Sequence, residues 1–296
     1  MNNQTIRLFA GFILLLSALI GFIYRYSYKT AAFISCITAV ILIGDAFSFL
    51  PKQGRSAIPP DECITIFSHN VLARGYPVND EIEKIIDEHS PELVFFQEID
   101  SGRWEEIYPV MKERGYSAYP MIEEAVRAAV GSAVFSKLPV RGAQKYIIPG
   151  PKWLPDWPAQ YCQVKIGNTW VQCVNLHLVP PHAPRQGMTP EGIHWKIAFE
   201  QLRSILSMVR NDDLPAILIG DFNMTPNRQL KNLMKGNFTG AWEEAGRGFG
   251  FSWHTGSPMF HIDDLYHSNE ITVHKAELIR AKYSDHLGVV YKIRVN

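Results

Sequence analysis

From about residue 62 onward, short apolar runs alternate with segments in which apolar residues recur every three or four positions. Four runs are rich in Val, Ile, Leu, Phe or Cys, and each is short enough to be a buried strand. They are Ile64 to Phe67, Leu93 to Phe96, Trp170 to Val174 and Ala216 to Ile219. Two amphipathic segments, from Asn79 or Asp80 to about His89 and from Glu191 to Val209, predict helices. The pattern therefore predicts one domain in which strands and helices interleave.

The first 50 residues follow a different pattern. Residues 8–24 are apolar and uncharged, and residues 31–50 are apolar except for Asp45. Since a helix needs roughly 20 such residues to cross a bilayer, we predict two transmembrane helices, 8–24 and 31–50, followed by a linker over residues 51–61 and a folded domain over residues 62–296. The alternatives are two soluble core helices, or a signal peptide and a core helix. A signal peptide is disfavoured because no small-residue cleavage site follows the first apolar run.

The charge of the domain argues against a surface built for duplex DNA. Residues 61–296 carry 24 Lys and Arg side chains and 28 Asp and Glu side chains, a net charge of about −4. Non-specific DNA binding depends on clustered basic side chains, and the domain contains no basic run. Nucleic acid is therefore the less favoured partner, and a nuclease would need a local basic patch that the sequence does not show.

Polar clusters occur where the predicted strands end. Gly220-Asp221-Phe222-Asn223 presents a carboxylate and a carboxamide directly after an apolar run, and side-chain alternation predicts that both lie on one face. Five further clusters are Ser68-His69-Asn70, Gln97-Glu98, Asn175-Leu176-His177-Leu178, His261-Ile262-Asp263 and Ser284-Asp285-His286. Carboxylate, amide and imidazole groups at strand ends are suited to activating water and to binding an oxyanion or a cation.

In this order along the chain, the clusters resemble the motifs of the endonuclease/exonuclease/phosphatase superfamily, which includes DNase I, AP endonucleases, inositol polyphosphate 5-phosphatases and bacterial sphingomyelinases. Residues 131–139 are similar to the family's central strand and turn, and Phe251-Ser252-Trp253 precedes the Asp263 motif. The resemblance covers about residues 62 to 294. It implies an α/β (α+β) fold, a four-layered sandwich of two packed mixed β-sheets flanked by helices, and hydrolysis of phosphoester bonds.

The resemblance also implies a metal site. Glu98 is expected to be the first Mg²⁺ ligand, with Asn70 beside it and Asp285 as a further ligand, and Mn²⁺ could replace Mg²⁺. Mg²⁺ characteristically takes one or two carboxylates. The alternative, a solvated surface glutamate, is weakened because Glu98 would share a face with Val94 and Phe96. The remaining histidines show no metal-binding spacing, so zinc is not expected.

The same resemblance implies catalytic roles at the ends of two strands. Asp221 would orient and deprotonate the attacking water, and Asn223 would help to hold it. His177 would donate to a phosphate oxygen, with Asn175 as an amide donor on the same face. Taken singly, an Asp at a strand end is more often a turn cap, and a His in an apolar strand is more often a core residue. Because both residues stand in motifs that follow the family's order, the catalytic roles of Asp221 and His177 are favoured over these simpler roles.

A third catalytic pair joins His286 to Asp263, whose carboxylate would fix the tautomer and favour the protonated imidazole. Here the sequence departs from the commonest family pattern, because His261 stands where many members have Arg and Asp264 where many have Tyr. Asp264 is therefore an alternative to Asp263 as the carboxylate that pairs with His286. Leu72 replaces an acidic residue of the AP endonucleases, which counts against that branch.

The leading prediction is a membrane-anchored, Mg²⁺-dependent phosphatase or phosphodiesterase whose substrate is a lipid-linked phosphate ester or pyrophosphate. Charge differences across the predicted hairpin are too small to orient it. The sequence is similar to membrane-anchored bacterial members such as teicoplanin-resistance-type phosphatases, which implies a two-pass membrane protein with an extracytoplasmic domain. The alternatives are an exported Mg²⁺-dependent nuclease and a catalytically degenerate binding domain. No obligate protein partner is expected.

Two proline-rich loops could line the substrate mouth or rest on the membrane. One contains Trp157, which could equally well pack on its own domain instead of contacting substrate or membrane. The other directly follows His177 and contains His182 and Arg185, which are the better candidates for substrate contact.

Overall fold

The computed structural model describes residues 11–16, 62–72, 77–78, 80–122, 131–151, 156–180, 193–209 and 213–296. Residues 11–16 are helical. Within the described ranges, no helix is both long enough and apolar enough to cross a membrane. The rest of the predicted spans 8–24 and 31–50 lies outside the described residues, as do the predicted linker 51–61, His182 and Arg185. The predicted hairpin therefore stays a prediction.

Strands and helices interleave through the domain, as the apolar pattern predicts. The strands are β1 (Ile64–Asn70), β2 (Leu93–Gln97), β3 (Ser117–Met121), β4 (Ser132–Ser136), β5 (Val140–Pro149), β6 (Asp156–Ile166), β7 (Thr169–His177), β8 (Ala216–Asp221), β9 (Thr239–Gly240), β10 (Asp263–His267), β11 (Ile271–Ile279) and β12 (Gly288–Val295). The helices are α1 (Glu81–His89), α2 (Ser101–Glu113), α3 (Ile193–Val209), α4 (Arg228–Met234) and α5 (Ala241–Ala245). The two helices predicted from apolar spacing are α1 and α3.

The strands form two six-stranded mixed sheets. The first has the order β11-β12-β1-β2-β4-β3 and the second the order β5-β6-β7-β8-β10-β9. Most neighbours are antiparallel, but β1 pairs with β2, and β7 with β8, in parallel. Since parallel neighbours end at the same edge of a sheet, each sheet gathers the carboxyl ends of two strands at one place.

Three apolar cores stack the sheets and helices into four layers. The central core contains Ile66 and Phe95 from the first sheet together with Val171 and Ile219 from the second. Helices α1 and α2 cover the outer face of the first sheet, and α3 covers the outer face of the second. Burial of apolar surface on both faces of each sheet is the main force that holds this arrangement together. The predicted sandwich of two packed mixed sheets with flanking helices is confirmed.

The strands extend beyond the apolar runs that predict them. β1 continues to Asn70, β2 to Gln97, β7 to His177 and β8 to Asp221. These polar ends are buried, and both Asn70 and Gln97 donate to side chains of the second sheet, so the ladder need not stop where the apolar residues stop. Several of the polar clusters therefore belong to the strands themselves.

Gly220 allows β7 and β8 to stay paired up to their ends. Its φ is +133°, and a Cβ atom at this position would lie 2.1 Å from the carbonyl oxygen of Leu176 on β7. No side chain fits there, so only glycine permits this approach. The pairing places Asp221 directly opposite His177.

Candidate active site

Polar side chains from both sheets meet where β1, β2, β7 and β8 end. The amide nitrogen of Asn70 on β1 donates to Glu98 (3.0 Å) and to Asp221 (3.1 Å). The Nε2 atom of His177, at the end of β7, lies 3.7 Å from a carboxylate oxygen of Glu98 and 3.6 Å from one of Asp221. Four predicted site residues are thus brought into one cluster.

The backbone of Glu98 places its carboxylate at the mouth of this cluster. Glu98 has a φ of 56°, a left-handed conformation that residues other than glycine rarely adopt, and its side chain is 16% exposed. The strand alternation used to predict an apolar face for Glu98 therefore ends at Gln97. Such backbone conformations concentrate at functional sites, and the resulting carboxylate is oriented by Asn70 yet reachable by a cation.

Asp221 is buried at the centre of the cluster. One oxygen, Oδ1, accepts a hydrogen bond from the backbone N–H of Asn223 (2.7 Å), while Oδ2 lies 3.7 Å from Nε2 of His286. Burial and the neighbouring carboxylate of Asp263 raise the pKa of Asp221 to about 6. Near neutral pH this carboxyl group is ionised and close to the range in which it readily accepts a proton.

His286 is held by a carboxylate from β10. Its Nδ1 atom lies 2.9 and 3.2 Å from the two carboxylate oxygens of Asp263, so Nδ1 donates to Asp263 and Nε2 faces Asp221. Burial alone would lower the pKa of His286, but Asp263 and Asp221 outweigh burial and raise the pKa to about 10. The imidazole is therefore protonated at neutral pH and can donate to a developing negative charge.

The neighbouring acid, Asp264, belongs to a separate pair behind the site. Its Oδ1 accepts from the backbone N–H of Trp242 (3.2 Å), and its Oδ2 lies 3.3 Å from Nε2 of His261. Because Asp263 and Asp264 are consecutive in a strand, they point to opposite faces of the sheet. Asp263 is thus the residue that meets His286, and the two departures from the family pattern lie beside each other.

Asp285 offers a carboxylate oxygen without a donor. Its Oδ2 accepts from the indole N–H of Trp253 (2.9 Å), whereas its Oδ1 is buried and has no hydrogen-bond partner among the residues that the structure describes. Nε2 of His286 lies 4.0 Å from Oδ1. A buried carboxylate oxygen that lacks a partner is costly. A bound cation would supply the missing partner, which fits the predicted role of Asp285 as a metal ligand.

A second group in the site gathers two further carboxylates around His286, which could itself bind a cation only after losing its Nε2 proton. Single ligand atoms from Asp221, Asp263 and His286 all lie within 4.8 Å of one another, and the three residues are buried. This group shares no residue with the predicted ligands Glu98 and Asp285. Four carboxylates face one protonated imidazole across the two groups, and a divalent cation would neutralise part of that excess negative charge.

Two predicted amide donors are engaged by the fold. Asn175 donates to the carbonyl of Phe96 (3.0 Å) and accepts from Gln97 (2.7 Å), which ties the two sheets together beneath the site. Asn223, whose φ is 49°, donates to the carbonyl of Leu178 (2.9 Å). The predicted roles in holding water or phosphate would require these nitrogens to leave or share their main-chain acceptors.

Three further side chains support the site, of which His69 and Tyr283 had no role predicted from the sequence, whereas packing of Trp157 on its own domain was one of two alternatives. Trp157 is buried, and its indole N–H donates to the carbonyl of His177 (2.6 Å). His69 lies 2.9 Å from the hydroxyl of Tyr283 and 3.1 Å from the carbonyl oxygen of His286, and burial lowers the pKa of His69 to about 4. The sequence signal for His69 was its place one residue before a predicted metal ligand.

Comparison with known proteins agrees with the fold and with the order of the motifs. The sequence model of the Endonuclease/Exonuclease/phosphatase family matches residues 67–286. A similar fold occurs in an endonuclease/exonuclease/phosphatase from Bacteroides vulgatus (TM-score 0.64, 15% identity, covering 79% of this chain and 99% of that chain). It also occurs in truncated Caenorhabditis elegans TDP2 (TM-score 0.60, 18% identity, 79% and 98% covered) and in D. rerio TDP2 complexed with a single-strand DNA product (TM-score 0.61, 16% identity, 79% and 100% covered). Among curated proteins, none matches the sequence significantly.

Proposed function

We propose that this chain, which belongs to the endonuclease/exonuclease/phosphatase family, is a membrane-anchored, metal-dependent phosphoesterase acting on a lipid-linked phosphate ester or pyrophosphate. Members of this family are hydrolases that act on phosphoester bonds. One observation carries the proposal for this chain. The buried carboxylate of Asp221, with a pKa of about 6, lies 3.7 Å from His286, with a pKa of about 10, beside the more exposed carboxylate of Glu98.

Asp221 is the base in this proposal. The simpler role, capping a turn, is real but uses only Oδ1, which accepts from the backbone of Asn223. Oδ2 faces the histidines and can take a proton from the attacking water. The raised pKa of Asp221 makes it a stronger base than an ordinary aspartate while it is still ionised at neutral pH.

His286 and His177 supply donors for the charge that develops on the phosphate. His286 is protonated and its ring is oriented by Asp263, so its Nε2–H is available without reorganisation. His177 presents Nε2 on the same side, within 3.6 Å of Asp221. Donors placed before the reaction stabilise a transition state more than mobile ones do.

Mg²⁺, or Mn²⁺ in its place, would be held by Glu98 and Asp285, with Asn70 beside them. The partnerless buried oxygen of Asp285 and the accessible carboxylate of Glu98 fit a hard cation that prefers oxygen ligands. Such a cation, when bound, neutralises phosphate charge and polarises the phosphoryl oxygen. Asn70 already accepts from the backbone of Leu72 (3.1 Å) and donates to Glu98, so its clearest contribution is to orient that carboxylate.

The membrane anchor rests on the sequence of residues 1–50 and on one feature of the described helical segment. In residues 11–16, the side chains of Phe12, Ile13 and Leu16 are 64%, 61% and 59% exposed. Exposed apolar side chains on a short helical stretch are what a helix in contact with a bilayer presents, which supports the anchor. The linker 51–61 can span at most about 40 Å, so an anchored domain stays near the surface. By family resemblance we place the domain on the extracytoplasmic side.

An exported nuclease is the second candidate. The solved structure of D. rerio TDP2 with a single-strand DNA product shows that the shared fold can accommodate DNA in that protein. The net negative charge of residues 61–296 disfavours a duplex-binding surface in this one. A degenerate binding domain is the weakest reading, because Asp221, His286 and Glu98 are present and clustered.

The test uses the full-length protein in anionic lipid vesicles. Release of phosphate or headgroup from undecaprenyl pyrophosphate, sphingomyelin and phosphoinositides is measured beside degradation of DNA, with Mg²⁺ and with EDTA. We expect Mg²⁺-dependent hydrolysis of a lipid phosphate, lost in His286→Ala, and a weaker lipid preference after deletion of residues 1–60. Efficient DNA degradation with every lipid phosphate left intact would replace this proposal with the nuclease.

A further inference from the structure

His69 is a buried histidine one residue before Asn70, and the chemistry proposed above gives it no task. It is 1% exposed. Its Nδ1 atom lies 2.9 Å from the hydroxyl of Tyr283, and its Nε2 atom lies 3.1 Å from the backbone carbonyl oxygen of His286. Neither partner is an acid, so a charged ring would be buried without a counter-ion, and the neutral ring is favoured.

The two partners decide which nitrogen carries the proton. A carbonyl oxygen can only accept, so Nε2 of His69 is the donor to His286. In that tautomer Nδ1 is an acceptor, and the hydroxyl of Tyr283 donates to it. The hydrogen bonds therefore run in one direction, from Tyr283 through His69 to the backbone of His286.

Tyr283 is itself fixed from the other side. Arg103 is buried, donates to the backbone carbonyl of Tyr283 (3.2 Å) and lies over its ring, with the guanidinium carbon 5.9 Å from the ring centroid. Burial and a strong donor leave little freedom to this tyrosine. The tyrosine whose hydroxyl donates to Nδ1 of His69 is thus held in place by Arg103 of helix α2.

His69 also completes the attachment of the His286 backbone. The hydroxyl of Ser284 accepts from the N–H of His286 (3.0 Å) and donates to the carbonyl of Asn70 (2.6 Å). Ser284 therefore holds the N–H side of His286, and His69 holds its carbonyl side. Asp263 orients the ring of His286 but makes no hydrogen bond to its backbone.

We propose that His69 is a positioning residue for the hydrolysis: by donating from Nε2 to the carbonyl oxygen of His286, it fixes where the His286 imidazole meets the phosphate. This inference rests on the proposed function, because His69 acts only through His286. Both ring nitrogens of His69 are engaged, so it is neither a metal ligand nor a proton donor to substrate. A displacement of about 1 Å in a catalytic group can cost about a hundredfold in rate.

Amide side chains distinguish the two nitrogens of His69. The amide of glutamine reaches about as far as Nε2 and can donate to the carbonyl of His286, whereas the amide of asparagine reaches only as far as Nδ1. We compare full-length wild type, His69→Asn and His69→Gln in detergent, using bis(p-nitrophenyl) phosphate and saturating Mg²⁺. His89→Asn, in the last turn of α1 and close to the start of β2, is the control at the opposite end of the sheet.

We expect His69→Asn to lower kcat by about 10- to 100-fold, as removal of an orienting partner typically does, with KM unchanged. His69→Gln should regain most of this loss, and His89→Asn should match the wild type. A purely structural role would lower the melting temperature of both His69 variants without separating their kcat values. A wild-type kcat in His69→Asn, or equal losses in the two His69 variants, would overturn the inference.

If neither His69 variant folds, Tyr283→Phe decides. It keeps the ring but removes the donor to Nδ1, so the imidazole of His69 loses one of its two anchors and can turn away from the carbonyl of His286. We expect kcat to fall several-fold, and a wild-type kcat would reject the inference. The proposed function is judged separately by the wild type against His286→Ala. Equal turnover in those two proteins would refute both the proposed function and the positioning role of His69. If the wild type is active, His286→Ala is not, and His69→Asn keeps the wild-type kcat, only the positioning role is rejected.

Discussion

Asp263→Asn removes the negative charge that lies 2.9 Å from Nδ1 of His286 while keeping the size of the side chain. In the wild type, burial opposes protonation of His286, but Asp263 and Asp221 raise its pKa from 6.5 to about 10. A difference of this size favours the protonated imidazole by about 5 kcal/mol. In the variant the largest favourable contribution is gone, while burial and the carboxylate of Asp221 remain, so we expect the pKa of His286 to fall well below 10.

The assay is the dependence of kcat/KM on pH. The descending limb should lie near pH 10 in the wild type and at clearly lower pH in Asp263→Asn, because the reaction needs protonated His286. At a fixed pH above the limb, each unit by which the pKa of His286 falls lowers kcat/KM about tenfold. The ascending limb, set near pH 6 by Asp221, should also move to lower pH because the repulsion from Asp263 is gone.

All profiles are recorded at one fixed Mg²⁺ concentration, so that the effect of the cation on both limbs is shared. Asp264→Asn is the matched control, since Asp264 contacts the backbone of Trp242 and lies beside His261 instead of His286. It should leave the descending limb in place. If Asp263→Asn lowers the plateau but keeps both limbs at wild-type positions, Asp263 only orients the ring, and the charge argument is refuted.

The same pair links stability to pH. The pKa of His286 is about 10 in the folded protein, above its ordinary value of 6.5, so its stabilising contribution is complete below pH 6.5 and disappears as pH rises toward 10. The contribution is at most about 5 kcal/mol. Urea unfolding of the wild type in EDTA should show a decline in unfolding free energy across this window. Asp263→Asn should show a smaller decline there.

The location of the site could be predicted from the sequence for a simple reason. Buried apolar runs identify strands, and polar residues that end such runs can be stable only if they pair with one another or with a ligand. Parallel pairing then brings the ends of β1 and β2 together in the first sheet and the ends of β7 and β8 together in the second. The meeting of Asn70 and Glu98 with His177 and Asp221 across the two sheets was expected only from the family resemblance.

Side-chain direction at the strand ends was not predictable, because alternation fails where the backbone turns left-handed. Glu98 and Asn223 both have positive φ. Asparagine tolerates that conformation and so gives a weak local signal, but glutamate gives none. Strand alternation predicted an apolar face for Glu98 and placed Asn223 on the same face as Asp221. In the structure, the amide of Asn223 instead turns to the carbonyl of Leu178.

Contacts between distant parts of the chain were also beyond the sequence. His69 and Tyr283 are 214 positions apart, and Gln97 and Asn175 are 78 positions apart. No periodicity or motif spacing connects residues so far apart, since their meeting depends on how the two sheets stack. The choice between Asp263 and Asp264 also depended on how the sheets stack. Alternation places the two acids on opposite faces of the strand, but it does not say which face meets His286.

Three further predictions test the base, the metal site and the packing below the site. Asp221→Asn should fold normally and lower kcat by about 10²- to 10⁴-fold, because an amide cannot accept the proton from water; steady-state kinetics and a melting curve check both statements. Glu98→Gln should raise the Mg²⁺ concentration needed for half-maximal activity, while EDTA abolishes activity in the wild type, and full activity in chelator would contradict the metal site. Gly288→Ala should destabilise the protein by about 1–3 kcal/mol, because its Cβ would lie 2.5 Å from Cε2 of Phe67, deep in the core. Gly102→Ala, whose Cβ meets nothing closer than 3.5 Å in the first turn of α2, should instead leave stability unchanged or raise it by about 0.5–1 kcal/mol. Equal unfolding free energies for the two alanine variants would show that the end of the first sheet is looser around Phe67 than the structure indicates.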